Sequence, residues 1–331
     1  MTLRTTFPLL VILAVLAAIP LLITSNTVLN FIVFVLIITL AAQGWNVLGG
    51  VGGQSSFGHA AFFGTGAYVS AILQSRYGIN AWAAMAVAMA IGAIVGWIIG
   101  FLSFRAGLRG SYFALVTLAF AEVLRILANA AGFTGGAAGL LLKLNVGFAN
   151  MQFSSRGAFL WLVLSLVAVT LFLSQWIAGS RFGAQLVAVR ENEEAARALG
   201  VDVLAVKLRA ITVSAAITAA AGCLYLQYFL YIDANIAYGL WISVEALLAP
   251  MVGGKGLVLG PIIGAFTLHG LGEAAKTFAA SVPGIDLAIY GVILVVVVAF
   301  APEGVLGILK KTQLKRRHKE RTAAKLSGEA A

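Results

Sequence analysis

Apolar stretches of roughly 20 residues, long enough for a helix to cross a bilayer, recur along this entire sequence. They fall at 7–24, 28–48, 56–75, 80–103, 111–130, 157–178, 205–231, 241–252, 257–275 and 285–301. Inside lipid, backbone polar groups must be satisfied within the segment itself, so runs of this kind fold as helices. The expectation is an all-α, polytopic integral membrane protein of about 8 to 10 transmembrane segments, with glycine-broken helices. Two of the runs, 241–252 and 257–275, are short or interrupted, split by "GGKG" at Gly253–Gly256. With 61% hydrophobic and only 10% charged residues, a soluble globular class is excluded.

The few charges are unevenly placed. Net charge is +10, and much of it sits in "KKTQLKRRHKERTAAK", Lys310–Lys325, after the last apolar run. If Arg4 is cytoplasmic and every run crosses, then Arg105, Arg109, the segment Arg181–Arg209, Lys255 and the basic tail all fall inside, as the positive-inside bias favours. That arrangement puts both termini in the cytoplasm. It also divides the chain into a membrane domain at 1–309, containing a cytoplasmic loop at 180–204, and a basic tail at 310–331 suited to anionic lipid head groups. No aromatic residues interleave with the basic tail to stack bases, so a nucleic-acid partner is not expected. The first run is read as a retained span, because a second apolar run follows it at once where a signal peptide would give way to a soluble domain.

Cys223 is the only cysteine and the histidines His59, His269 and His318 are scattered, so no metal site is expected. "GGKG" does not make a phosphate-binding loop: Ala249 stands where the first glycine of that motif belongs, and Gly256 where Ser or Thr would hold magnesium. The stretch "GGVGGQSSFGHAAFFGTGAY", Gly49–Tyr68, begins with a predicted helix break and continues with small residues suited to close helix contact. Unwound backbone at membrane depth lines aqueous cavities in transporters, which makes Gly53, Gln54, Ser55 and Ser56 candidates for a substrate pathway. Tight packing alone accounts for the same residues. Glu122 and Arg125, one turn apart in an apolar run, read as a self-neutralised bridge, as a pair near the membrane boundary, or as an ion relay.

One segment resists the membrane pattern. In "RENEEAARALG", Arg190–Gly200, a single helix would align Asn192, Ala195, Ala196 and Leu199 on one stripe. It would pair Glu193 with Arg197 and Arg190 with Glu194 at i,i+4. Gly200 supplies a left-handed stop, and Asp202 can cap the next helix. A docking helix and a solvated connector fit this spacing equally well.

Glu194, Ala195, Ala196 and Gly200 match the E-A-A-x-x-x-G core of the loop in permease subunits of bacterial ABC importers, without the Leu-Pro that often follows. Further stretches, "NVLGGVGGQSSFGHAAFFGTGAY", "LRGSYFALVTLAFAEVLR", "RENEEAARALGVDVLAVKLRAI", "VGGKGLVLGPIIGA" and "APEGVLGI", occur in order over about 28 to 308. Through them the chain resembles the branched-chain amino acid permease family of ABC importers, in its LivM-type branch. The resemblance implies an inner-membrane transporter subunit, not an enzyme. It implies that Arg190, Glu193, Glu194, Ala195, Ala196, Arg197 and Gly200 couple the chain to two separate ATP-binding subunits, which hold the ATP and magnesium, so that this chain binds no cofactor. A second, non-identical permease and a periplasmic substrate-binding protein are the other implied partners. Branched-chain or related hydrophobic amino acids are the implied solutes. A urea or short-chain amide permease, an ion-coupled secondary transporter and a membrane assembly factor are the alternatives.

Overall fold

The computed structural model describes residues 3–278, 291–292 and 304–307. In chain order the helices are α1 (Leu3–Leu22), α2 (Asn26–Trp45), α3 (His59–Tyr77), α4 (Ala81–Arg105), α5 (Gly110–Ala130), α6 (Arg156–Ala178), α7 (Arg181–Glu191), α8 (Glu193–Ala198), α9 (Val203–Phe229), α10 (Ala234–Ala237), α11 (Leu240–Gly253) and α12 (Gly260–Phe278). A π-helical stretch, Asn46–Val51, extends α2. The only pairing of strands among the described residues is a two-residue antiparallel one, β1 (Leu140–Leu141) on β2 (Tyr231–Ile232). The all-α expectation therefore holds.

Among the described residues, six helical segments are long and apolar enough to cross a membrane, fewer than the 8 to 10 expected: Asn26–Val51, Ala81–Arg105, Gly110–Ala130, Arg156–Ala178, Val203–Phe229 and Ala234–Gly253. The run expected at 241–252 is thus longer than the sequence pattern suggested, because Asp233 caps a preceding turn, accepting the Ile236 N–H at 2.8 Å. The run at 285–301 and the basic tail lie outside the described residues, apart from 291–292.

α9 runs through the centre and packs against α2, α3 and α4. What brings α4 so close is a glycine every fourth residue: Gly92, Gly96 and Gly100 ride over Ala219, Ala215 and Ile211 of α9. Without side chains at those three points the helix backbones approach closely, which is how helices associate in lipid, where apolar burial gives little drive. The seam with α3 is equally close. A Cβ on Gly222 would run into the Phe63 carbonyl oxygen, and one on Gly66 into that of Ala219.

The predicted break follows α2. After Val51 the chain is irregular until α3 begins at His59, whose Nε2 lies 2.9 Å from Ser214 Oγ, in the body of α9. α3 therefore starts inside the bundle rather than at its edge. Its first free amides find partners there, the Ala60 N–H donating to Ser243 Oγ at 2.9 Å.

A candidate coupling site at the helix breaks

The C-terminal end of α2 carries two buried amides, Gln43 and Asn46, where an apolar span would ordinarily continue. Buried amides need partners, and both find them more than 200 residues away. Gln43 Nε2 donates to the Val258 carbonyl at 2.9 Å. Asn46 Nδ2 donates to the Leu257 carbonyl at 3.0 Å, while its Oδ1 accepts the Gly256 N–H at 2.9 Å. The α11–α12 turn, with the second glycine cluster, is thereby fastened to the first. Lys255 of that turn lies over the Trp45 ring, 5.9 Å from its centroid. Burial first, and then the neighbouring Arg190, hold its ammonium below the ordinary lysine range.

The break itself is folded back on α2. The Gly52 and Gln54 N–H groups donate to the Val47 and Leu48 carbonyls at 3.1 and 3.0 Å, and Trp45 Nε1 donates to the Ser56 carbonyl at 2.8 Å. Gly53 has φ +71°, a left-handed conformation, and the aliphatic stem of Arg190 lies against its Cα so that a Cβ has no room. Arg190 then reaches on, its Nη1 donating to the Gly50 carbonyl at 3.4 Å. Both glycine clusters and the 180–204 loop thus converge on one arginine.

The loop departs from the single-helix expectation. Asn192 takes an extended conformation (φ −158°, ψ 111°) and its Oδ1 accepts the N–H groups of Glu194 and Ala195 at 2.9 and 3.0 Å. Capping α8 in this way ends α7, because an N-cap residue has non-helical dihedrals. The expected stripe is split accordingly: Ala196 is buried, whereas Leu199 is 84% exposed. The expected i,i+4 pairings are replaced. Glu193 joins Lys207 of α9, and Arg109 before α5 at 3.2 Å, while Arg190 Nη2 donates to Glu191 at 2.7 Å. The Lys207 side chain is only 4% exposed and also lies 5.3 Å from the Phe104 ring centroid. A partner charge is essential to an ammonium so buried.

Gly200 and Asp202 behave as their residue types require. Gly200 has φ +84°, its N–H donates to the Arg197 carbonyl at 3.0 Å, and the Val201 N–H donates to that of Ala196 at 3.0 Å, which together close α8 with a Schellman motif. Asp202 Oδ1 accepts the Ala205 N–H at 3.0 Å and opens α9.

A cavity of about 380 Å³ gathers the two groups of residues that the sequence singled out, with Gly53, Gln54, Arg109, Arg190, Glu193 and Glu194 on its walls. Glu193 is half-buried; Arg190 lays its stem against Gly53 but is itself exposed, as are Glu194, Ala195 and Arg197. Gln54 is buried, with its Nε2 on the Gly52 carbonyl at 3.2 Å. Ser55 is half-buried; Ser56 is fully buried, its Oγ accepting the Gly58 N–H at 3.2 Å. Asn46, Arg109, Asn192 and Lys207 are site residues that sequence reasoning passed over. For Asn192 a signal was present, since Asn directly before Glu-Glu is a helix-start pattern. For the others the partners are too distant along the chain for any local pattern to show.

Residues 27–298 match the family described as branched-chain amino acid transport system / permease component. The chain is 29% identical to the high-affinity branched-chain amino acid transport system permease protein LivM of Escherichia coli (strain K12), over 92% of this chain and 76% of that one. It is 26% identical to the probable branched-chain amino acid transport permease protein LivM of Methanocaldococcus jannaschii, over 61% of each chain. It is also 26% identical to the permease protein LivH of Escherichia coli (strain K12), over 81% of this chain and 90% of that one.

Proposed function

This chain belongs to the permease-component family of branched-chain amino acid transport systems, and on that premise we propose that it is a LivM-type membrane subunit of an ABC importer. It forms part of the translocation pathway for branched-chain or related hydrophobic amino acids. Energy comes from ATP hydrolysis on two separate ATP-binding subunits, which carry the nucleotide and magnesium; this chain performs no covalent chemistry. The other membrane partner is a second, non-identical permease, a role that the likeness to both LivM and LivH supports. A periplasmic binding protein delivers the solute.

The observation that carries the coupling role is the form of α8. It is short, and it presents Glu194, Ala195 and Arg197 outward, with Leu199 exposed just past its end. It is tied inward through Glu193 to α9 and to the start of α5. An outward face of fixed charges and small side chains suits a groove on the ATPase, with the charges setting register. Displacement of α8 passes to α9 through Lys207. Displacement of α7 passes to both glycine breaks through Arg190. Unwound backbone at those breaks, with Gly53, Gln54, Ser55 and Ser56, forms the inner part of the pathway, where it turns on small changes in the loop.

By charge placement the loop 180–204, both termini and the tail 310–331 are cytoplasmic, and residues 1–309 form the permease domain in the bacterial inner membrane. The deciding experiment is ATP-dependent leucine uptake in proteoliposomes holding this chain, the sister permease, both ATPase subunits and the binding protein. Glu194→Arg and Gly200→Pro, the latter incompatible with φ +84°, are expected to leave ATP hydrolysis running while uptake falls at least about tenfold. Unchanged uptake reduces the loop to a solvated connector. Uptake that survives without ATP but collapses with an uncoupler replaces the importer reading with an ion-coupled one.

A further inference from the structure

Glu122 and Arg125 take no part in the coupling just described, yet they are charges set in the body of a candidate span, Gly110–Ala130. They lie on α5, whose apolar window is 28% buried in this chain, against 72% for α2. Arg125 grips Glu122 through two hydrogen bonds, Nε to Oε2 at 2.9 Å and Nη2 to Oε1 at 2.6 Å, and its Nη1 donates to Asn235 Oδ1 of α10 at 2.7 Å. Despite this pairing the carboxylate side chain is 51% exposed and the guanidinium side chain 30%. Around them the outward face of α5 is aliphatic: Leu115, Ala119, Val123 and Ile126 are all exposed.

Depth makes this exposure informative. Eight residues separate Glu122 from the end of α5, about 12 Å at the helical rise. That leaves the carboxylate within a hydrocarbon layer about 30 Å thick. Charged side chains at such depth face a bundle interior or a water-filled cavity, not acyl chains. In the assembled importer, then, this face meets water and protein.

We infer that the Glu122–Arg125 face of α5 lines the aqueous route and receives the charged end of a zwitterionic amino acid, the Glu122 carboxylate taking the ammonium and the Arg125 guanidinium the carboxylate. One acid and one base, one turn apart, mirror the two charges on a single α-carbon. The flanking aliphatic face offers a place for a branched apolar side chain. A neutral amide such as urea has no use for two opposite formal charges, so the inference deepens the amino acid reading and rests on it.

The test uses the complete reconstituted importer with leucine as solute. E122Q/R125Q removes both charges at once and leaves neither stranded. It is expected to lower leucine uptake at least about tenfold while binding-protein stimulation of ATP hydrolysis, which reports assembly and coupling, is retained. Uptake equal to native overturns the inference. Independently, Ala119→Cys places a thiol on the same face in a chain whose only native cysteine, Cys223, is buried. A membrane-impermeant cationic thiol reagent is expected to modify it, more slowly during leucine transport. Modification by a lipid-soluble maleimide alone marks a lipid-facing pair, suited to a zwitterionic phospholipid head group, and overturns the inference even if the double variant fails to assemble. The native chain separates the two levels: without ATP-driven leucine uptake the permease reading fails, whereas native uptake with both arms negative sinks only the role of this pair.

Discussion

α5 and α9 have nearly the same mean hydropathy, 1.7 and 1.6 over their apolar windows, and opposite surroundings. The α9 window is 61% buried and the α5 window 28%. Hydrophobicity therefore makes both apolar enough to cross a membrane and says nothing about what either one touches. In lipid an exposed leucine costs little, so a helix is drawn into the bundle by close backbone approach and shared polar contacts. α9 has both, in its alanines against the α4 and α3 glycines and in His59 against Ser214. α5 has a bulky outward face instead.

The sharpest way to break this contrast is to thicken the α9 seam. Gly222→Leu should abolish a monodisperse, folded chain, because its side chain would have to displace the α3 backbone at Phe63; size-exclusion profiles of the detergent-extracted protein show it directly. Next in size is Lys207→Met, which leaves the largely buried Glu193 carboxylate with only the half-exposed Arg109. About 2 kcal/mol of stability should be lost, visible as a lower thermal midpoint, with recovery in Glu193→Gln/Lys207→Met, where the one charge released, Arg109, is 54% exposed to solvent. Asn192→Ala should cost about 1 kcal/mol. That loss is local, so hydrogen exchange at the Glu194 and Ala195 amides should quicken while the midpoint barely moves. Smallest of all, Leu115→Ala on the open face of α5 should stay within about 0.5 kcal/mol in detergent; a large loss there would show that α5 is held by this chain alone after all.

Legibility followed the range of the interaction. Features set by one residue and its neighbours could be read directly: the break after α2, the left-handed stop at Gly200, the cap at Asp202. The Gly92, Gly96, Gly100 spacing was equally readable and marks α4 as a close-packing helix, although hydropathy alone passes over it. The division of the loop at Asn192 sits between these cases, since a good helical pattern competes there with a good cap and the cap wins. What could not be read is the meeting of Asn46 with Gly256 and of Glu193 with Lys207 and Arg109. Each joins segments whose proximity is created by the fold, and a spacing rule has no reach over such distances. Spacing pairs Glu193 with Arg197, whereas its carboxylate joins Lys207 and Arg109.

α8 satisfies its own hydrogen bonds at both ends, at one through the Asn192 carboxamide and at the other through the turn at Gly200. In the coupling role proposed above it would serve as a rigid bead between two swivels. Rotation at either swivel would leave its internal ladder whole, so a push on it would be delivered as torque about the Glu193 anchor rather than dissipated in unwinding. The direction in which that anchor is pulled would then set which of its two tethers, α9 or the start of α5, is strained first.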